Sequence, residues 1–372
     1  MKKKLINISL LLSSLLISLL ICEIILRIIS SKQYYIWPPQ LKQYFLPDSS
    51  VLPGIKDTAY FKINLLGLRG DEKNDSSSVY IVTIGGSTTE CLYLDQGKTW
   101  PALLEKYLGK NYDKKVQVFN GGRSGLKSNH HLLQIQKLLE EYKWIDVIIV
   151  LEGINDLEYA LSLGNNYKKE NQQRTYDNSF LVSPVNSELP FYKRSYIYMY
   201  LNKLKKIVSS YKLAEDPFGS AYIKWRKNRA DALAIIDSMP NLNRSLSDFK
   251  KNTEMMIDLV KSKDKRIIFL TQPVLWDNNM SAYQKKLCWF GWIGGNQNEN
   301  SGIYYSFGIL KESIGKYNSL LKEICKNRNV DCIDLDSLLE KDTTTFYDDC
   351  HFNESGANKV AKKTAMVLHS EI

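Results

Sequence analysis

Val79-Tyr80-Ile81-Val82-Thr83-Ile84-Gly85-Gly86-Ser87-Thr88-Thr89-Glu90 is the stretch that decides the fold. Its first six residues are apolar or β-branched, without polar alternation. A short run of that kind, closed by glycines, reads as a strand buried on both faces. A helix start follows at Thr99-Trp100-Pro101, where a capping Thr precedes an early Pro. The same grammar recurs downstream. Val116–Phe119 runs into Asn120-Gly121-Gly122, Val147–Leu151 runs towards Gly153, and Arg266–Leu270 and Val330–Leu335 read as two more strands. Helical periodicity fills His130–Tyr142, Leu246–Lys261, Tyr304–Asn327 and Glu354–Leu368. Strands alternating with helices predict an α/β fold: three layers, α/β/α, around a parallel five-stranded sheet.

The rest of the chain bounds the setting. It has 372 residues, 44% hydrophobic and 24% charged. That composition excludes a disordered chain, a collagen and a small disulfide scaffold. Lys2, Lys3 and Lys4 precede an uncharged apolar run from Leu5 to Cys22. Eighteen residues at a rise of ~1.5 Å span roughly 27 Å, close to a bilayer core. No small-x-small cleavage site follows, so residues 1–32 are expected to be an uncleaved signal anchor, with a cleaved signal peptide as the alternative. The lysines predict a cytoplasmic N-terminus and an extracytoplasmic remainder, periplasmic or at the surface of a bacterial cell. Residues 33–75, with Pro38, Pro39, Pro47 and Pro53, read as a stalk and lead-in. Residues 76–372 read as the main domain, with an insertion at about 160–245 rich in Tyr, Lys and Asn.

The formal net charge is +10, which favours anionic partners. Much of the excess lies between Leu161 and Asp231, with thirteen Lys/Arg against six Asp/Glu. Outside the cytoplasm, nucleic acid is not an expected partner. Phospholipid headgroups or an acidic polysaccharide fit better, and an ordinary solvated surface is the plain alternative. The six cysteines show no CxxC spacing, which speaks against zinc or a redox motif, although the compartment permits disulfides. Four histidines without HExxH give no sign of a hydrolytic metal, and no cofactor is expected.

In open parallel sheets, sites form beyond the carboxyl ends of the strands. Four polar segments fall at such places: Gly85-Gly86-Ser87-Thr88-Thr89-Glu90, Asn120-Gly121-Gly122-Arg123-Ser124-Gly125, Gly153-Ile154-Asn155-Asp156, and Asp348-Asp349-Cys350-His351. Each alone is a common turn, helix cap or surface pair. In this order they resemble the four blocks of the SGNH hydrolases, also called GDSL esterases. The first block matches at Gly85 to Thr89, the second at Gly122, the third at Gly153 to Asp156, and the last at Asp348 and His351. Gly86 stands where the family usually has Asp, which removes a polar neighbour of the nucleophile. The likeness covers about Val79–Leu157 and Lys265–Leu368, and Asn64-Leu65-Leu66-Gly67-Leu68-Arg69 looks like the lead-in of membrane-anchored members. The insertion is not covered.

The chemistry of the residues agrees. Ser87 is a weak nucleophile until a base takes its proton, and His351 can do so near neutral pH. Asp348 can hold the imidazole in the needed tautomer. The resemblance assigns the oxyanion donors to the backbone N–H groups of Ser87 and Gly122 and to the side-chain amide of Asn155. Structural roles are expected for Asp156, Asp349, His130, His131, Cys91 and Cys350. Phe191–Lys206 reads as a basic amphipathic helix that could lie on a membrane, cap the site or simply pack. The loop 274–303, with Trp276, Trp289 and Trp292, could stack on sugars, line an acyl pocket or fill the core. The expected function is a serine carboxylester hydrolase deacetylating a cell-envelope glycan. An O-acyltransferase for extracellular polysaccharide is the alternative, ahead of a membrane lipase or a non-catalytic glycan-binding relative. The partners are accordingly an esterified small molecule or an O-acylated glycan.

Overall fold

The computed structural model describes residues 2–29, 33–56, 58–111, 115–184, 194–211 and 216–368. Helix α1 (Lys2–Ile29) comes first. Strands β1 (Lys42–Phe45) and β2 (Ala59–Lys62) then pair antiparallel. The central alternation follows: β3 (Val79–Gly85), α2 (Ser87–Glu90), α3 (Trp100–Asn111), β4 (Val116–Asn120), α4 (Ser128–Glu141), β5 (Val147–Leu151) and α5 (Ile154–Leu163). The insertion holds α6 (Gln172–Ser179), α7 (Tyr196–Tyr211), α8 (Ala221–Ala230) and β6 (Ala234–Ile236). Next are α9 (Asn243–Lys261), β7 (Arg266–Leu270), α10 (Ala282–Leu287), β8 (Ile303–Tyr305), α11 (Phe307–Arg328), β9 (Asp331–Ile333), α12 (Leu335–Leu338) and α13 (Glu354–Leu368).

The main sheet has five strands in the order β4-β3-β5-β7-β9. All four pairings are parallel. Every residue of β3, β4 and β5 is buried, as their unbroken apolar runs require. On one face α3 offers Trp100, Leu104 and Leu108 at helical spacing, and α13 packs against α3 with Ala357, Ala361 and Ala365 buried one turn apart. The other face is built from α4, α9 and α11, with α9 contributing Phe249, Met256, Ile257 and Val260. Gly85 pairs with Leu151, and Leu151 with Leu270. The carboxyl ends of these three strands therefore share one rim.

The sequence boundaries shift at several points for local reasons. The fifth strand is shorter than Val330–Leu335 because Asp334 turns the chain, its carboxylate accepting from Thr271 Oγ1 at 2.9 Å. Helix α11 starts at Phe307 rather than Tyr304, because Ser306 Oγ caps the Ile309 N–H at 3.3 Å. Residues 33–75 are not a free stalk. Ile36, Trp37, Phe45, Phe61, Ile63 and Leu68 join the same core as the main sheet. The loop 274–303 contains α10, and Trp276, Trp289, Phe290 and Trp292 are buried in the core. In the basic stretch, Phe191–Lys193 lies outside the described residues, and the helix begins at Tyr196. All six cysteines are free thiols.

Candidate active site

β3 delivers Ser87 to the rim as the first residue of α2, a single helical turn that ends at Cys91 in a left-handed conformation with φ of 54°. The loop before α13 delivers the other two residues. His351 Nε2 lies 2.7 Å from Ser87 Oγ, and His351 Nδ1 lies 2.7 Å from Asp348 Oδ2. The three form a continuous chain of hydrogen bonds that can draw a proton off the serine and stabilise the imidazolium.

Asp348 is fully buried and heavily hydrogen-bonded. Its Oδ1 accepts the His351 N–H at 2.8 Å and the Cys350 N–H at 3.0 Å, and its Oδ2 accepts the Trp289 indole N–H at 2.9 Å. Burial pushes its carboxyl up, but the charge of His351 and the hydrogen bonds from His351 and Trp289 outweigh that and hold it below the usual range. Burial pushes His351 down, and the charge and hydrogen bond of Asp348 outweigh that and raise it above the ordinary 6.5. The imidazole is further fixed by stacking. Tyr347 lies parallel to it at 5.5 Å between centroids, Trp289 at 6.5 Å, and Tyr222 meets it edge-on at 6.3 Å.

The three residues expected to supply oxyanion donors belong to or lie beside the same turn. As the first helical residue, Ser87 has no intrahelical partner for its N–H. The Asn155 amide Nδ2 donates to the Leu126 carbonyl at 2.8 Å, leaving its second proton. It reaches so close to the turn that a Cβ on Gly86 would stand 2.2 Å from it. Gly122 presses against α2, where a Cβ would lie 2.2 Å from the Glu90 nitrogen. Its N–H donates to Asn120 Oδ1 at 2.8 Å, so in this structure that donor is shared with Asn120.

Several supporting residues were not singled out from sequence. Asn120 bridges two parts of the site, since its Nδ2 donates to the Thr89 carbonyl at 2.7 Å. Trp289, expected to stack on sugars, line an acyl pocket or fill the core, also orients Asp348 through its indole N–H. Arg69 is fully buried and donates to the carbonyls of Cys91 at 2.8 Å and Leu94 at 2.6 Å, bracing the loop after α2. Its place in the lead-in, close before the first block, was the available signal. Glu90 accepts the Ser124 N–H at 2.9 Å, and burial raises its carboxyl.

The residues expected to be structural have structural partners. Asp349 accepts from Trp276 Nε1 at 2.7 Å and from the Trp289 N–H at 2.8 Å. Asp156 accepts from Ser128 Oγ at 2.6 Å. His130 lies 3.0 Å from Glu170 and His131 3.4 Å from Glu152, and burial lowers both imidazoles to about 4. Asp348, Cys350 and His351 bring potential metal-ligating atoms within 4.8 Å of one another. Asp348 and His351 are committed to each other, and burial drives the Cys350 thiol well above its usual range, away from the thiolate a metal takes.

A parallel sheet that places a serine at its rim, where an aspartate and a histidine from the loop before α13 meet it, has the makings of a serine hydrolase. The chain belongs to the GDSL-like lipase/acylhydrolase family, whose model matches residues 83–359, and it is a serine ester hydrolase. No curated protein matches it. Among solved structures it is similar to Est24, a carbohydrate acetylesterase from Sinorhizobium meliloti, at 9% identity, with 79% of this chain and 100% of that one covered and a TM-score of 0.43. It is similar to the aryl esterase of M. smegmatis at 12% identity, 79% and 100% coverage and a TM-score of 0.42. The same holds for a catalytic mutant of Axe2, an acetylxylan esterase from Geobacillus stearothermophilus, at 14% identity, 81% and 97% coverage and a TM-score of 0.42.

Proposed function

We propose that the chain is a membrane-anchored, extracytoplasmic carboxylesterase that removes acetyl groups from a cell-envelope glycan. Residues 1–32 anchor it, and residues 33–372 carry the hydrolase, with the insertion at about 160–245 as its distinctive part. The observation that carries the reading is the unbroken Ser87–His351–Asp348 chain, with 2.7 Å at both links. Ser87 Oγ attacks the acyl carbon as its proton passes to His351 Nε2. The N–H groups of Ser87 and Gly122 and the Asn155 amide receive the developing oxyanion. His351 then protonates the leaving sugar oxygen, and water releases acetate from Ser87 by the reverse proton path.

The acetyl group is favoured by space. A cavity of about 10 Å³ adjoins Ser87 and His351, lined by Thr88, Cys91, Tyr93, Leu94, Tyr347 and Phe352. That is on the order of the room one water-sized group needs, and a compact acyl group such as acetyl suits a space of that size better than a long chain. The test is hydrolysis of acetyl esters by the full chain in detergent, beside Ser87→Ala and His351→Ala. Each variant should lose at least about 10³-fold in kcat while keeping its fold. A parent that acetylates Ser87 without turnover would point instead to an O-acyltransferase lacking its acceptor. Turnover that survives both substitutions would refute the triad.

A further inference from the structure

The apolar anchor contains one carboxylate that membrane insertion does not explain. Glu23 follows the uncharged run Leu5–Cys22 directly. With that run filling the hydrocarbon layer, Glu23 falls at headgroup level on the outer side. It also makes a specific contact there. Its carboxylate accepts from Ser195 Oγ at 2.8 Å, from the Tyr196 N–H at 3.0 Å and from the Ile197 N–H at 3.1 Å. These are donors at the start of α7, so Glu23 caps a helix 172 residues further along the chain. Arg27, one turn on, pairs with Glu23 at 2.9 Å and lies over the Tyr196 ring at 4.9 Å.

We infer that α7 lies in the headgroup layer of the bilayer, pinned there at its N-terminus by Glu23 of the anchor. This rests on the anchor reading above. The geometry follows from it: whatever is hydrogen-bonded to Glu23 must sit where Glu23 sits. The exposed surface of α7 suits that depth. Leu201 is 62% exposed, Leu204 55% and Tyr198 38%, an apolar stripe at roughly helical spacing without a protein partner among the described residues. Tyr196, Tyr198 and Tyr200 are of the amphipathic type enriched at membrane interfaces. The exposed Lys205 beside the stripe can reach phosphate oxygens. An ordinary packed helix would turn these leucines inward. A bilayer continuous with the surface of α1 covers them without a further protein.

The test uses the full chain in liposomes of phosphatidylethanolamine and phosphatidylglycerol. A Cys22→Ser, Cys332→Ser background carries one nitrobenzoxadiazole label, at Leu201→Cys, Leu204→Cys or, as the control, Met366→Cys on α13. Nitroxide lipids should quench the α7 labels about twofold or more over the control. Glu23→Ala should lower that excess by releasing the N-terminus of α7. Quenching no greater than at position 366, in protein that resists alkaline extraction from the vesicles, would overturn the inference and leave the anchor standing. Release by alkaline extraction would overturn both. An excess unchanged in Glu23→Ala would overturn the pin.

Discussion

Trp289→Phe is the substitution that most directly probes how the site is held together. Phenylalanine keeps much of the aromatic packing against Trp225 and Trp292, whose rings lie 5.0 Å and 5.8 Å away. It removes the indole N–H that donates to Asp348 Oδ2 at 2.9 Å. Asp348 is fully buried, and a hydrogen bond to a charged group contributes about 1.5–3 kcal/mol. For a domain of about 300 residues, with an unfolding entropy of about 2.1 cal/mol/K per residue, that corresponds to a drop of about 2–5 °C in Tm. Asp348 keeps its bonds to the Cys350 and His351 N–H groups and to the imidazole. His351 is therefore loosened rather than released, and kcat should fall about tenfold, far less than the ~10⁴ expected when the orienting carboxylate is itself neutralised. The effect also has a pH signature. The Asp348 carboxyl is held below the ordinary range when folded, so its stabilisation is present above the unfolded value of about 3.9 and is lost as pH falls through the folded value. The deficit of the variant should be full at pH 7 and shrink in acid. Thermal melts at several pH values, with acetyl-ester kinetics, provide the measurement. A deficit as large in acid as at neutrality would mean that packing, not the hydrogen bond, was lost. Unchanged Tm and kcat would refute the support assigned to Trp289.

Because Asp348 raises His351 above 6.5, and a general base must be neutral, kcat/KM should fall on the acid side with an inflection above pH 6.5, and Asp348→Asn should move that inflection down. Leu94→Ala, which enlarges the cavity beside Ser87, should raise the preference for butyryl over acetyl esters about tenfold, in line with the 1–3 kcal/mol a methylene is worth in a tight pocket; an unchanged chain-length profile would place the acyl group elsewhere. Gly86→Ala would put a Cβ 2.2 Å from Asn155 Nδ2, and displacing that amide should cost on the order of 10²-fold in kcat with little change in KM, read from steady-state kinetics on an acetyl ester.

The sheet was legible because its strands are short, apolar and closed by glycine or asparagine, so Val79–Gly85, Val116–Asn120 and Val147–Leu151 all lie close to where periodicity puts them. Ser87, Asp348 and His351 were legible through the resemblance, because each block alone is a common turn and only their order along the chain points to them; Asp348 and His351 come from the loop before α13 rather than from a strand end. What supports them was not. Trp289 lies 59 positions from Asp348 along the chain, and nothing in a tryptophan-rich loop says which indole will face a carboxylate. Arg69 is the converse case. The lead-in that carries it was legible only as a likeness, and nothing in it shows that the end of α2 and the loop after it turn three carbonyls inwards, those of Glu90, Cys91 and Leu94, which the buried guanidinium satisfies together. The lead-in thus belongs to the fold because the nucleophile's loop needs it.

The glycine at position 86 can be understood in the same terms. Read as sequence, it is a loss: a polar neighbour of the nucleophile is missing. In the folded chain it is one side of a fit. The Asn155 amide occupies the volume a Cβ would take at 86, while Leu126 holds it there through a 2.8 Å hydrogen bond. A Cβ at 86 would stand 2.2 Å from that amide, so one of the two must shift. Residue 86 and residue 155 are therefore coupled, since the amide at 155 fills the space that a side chain at 86 would enter.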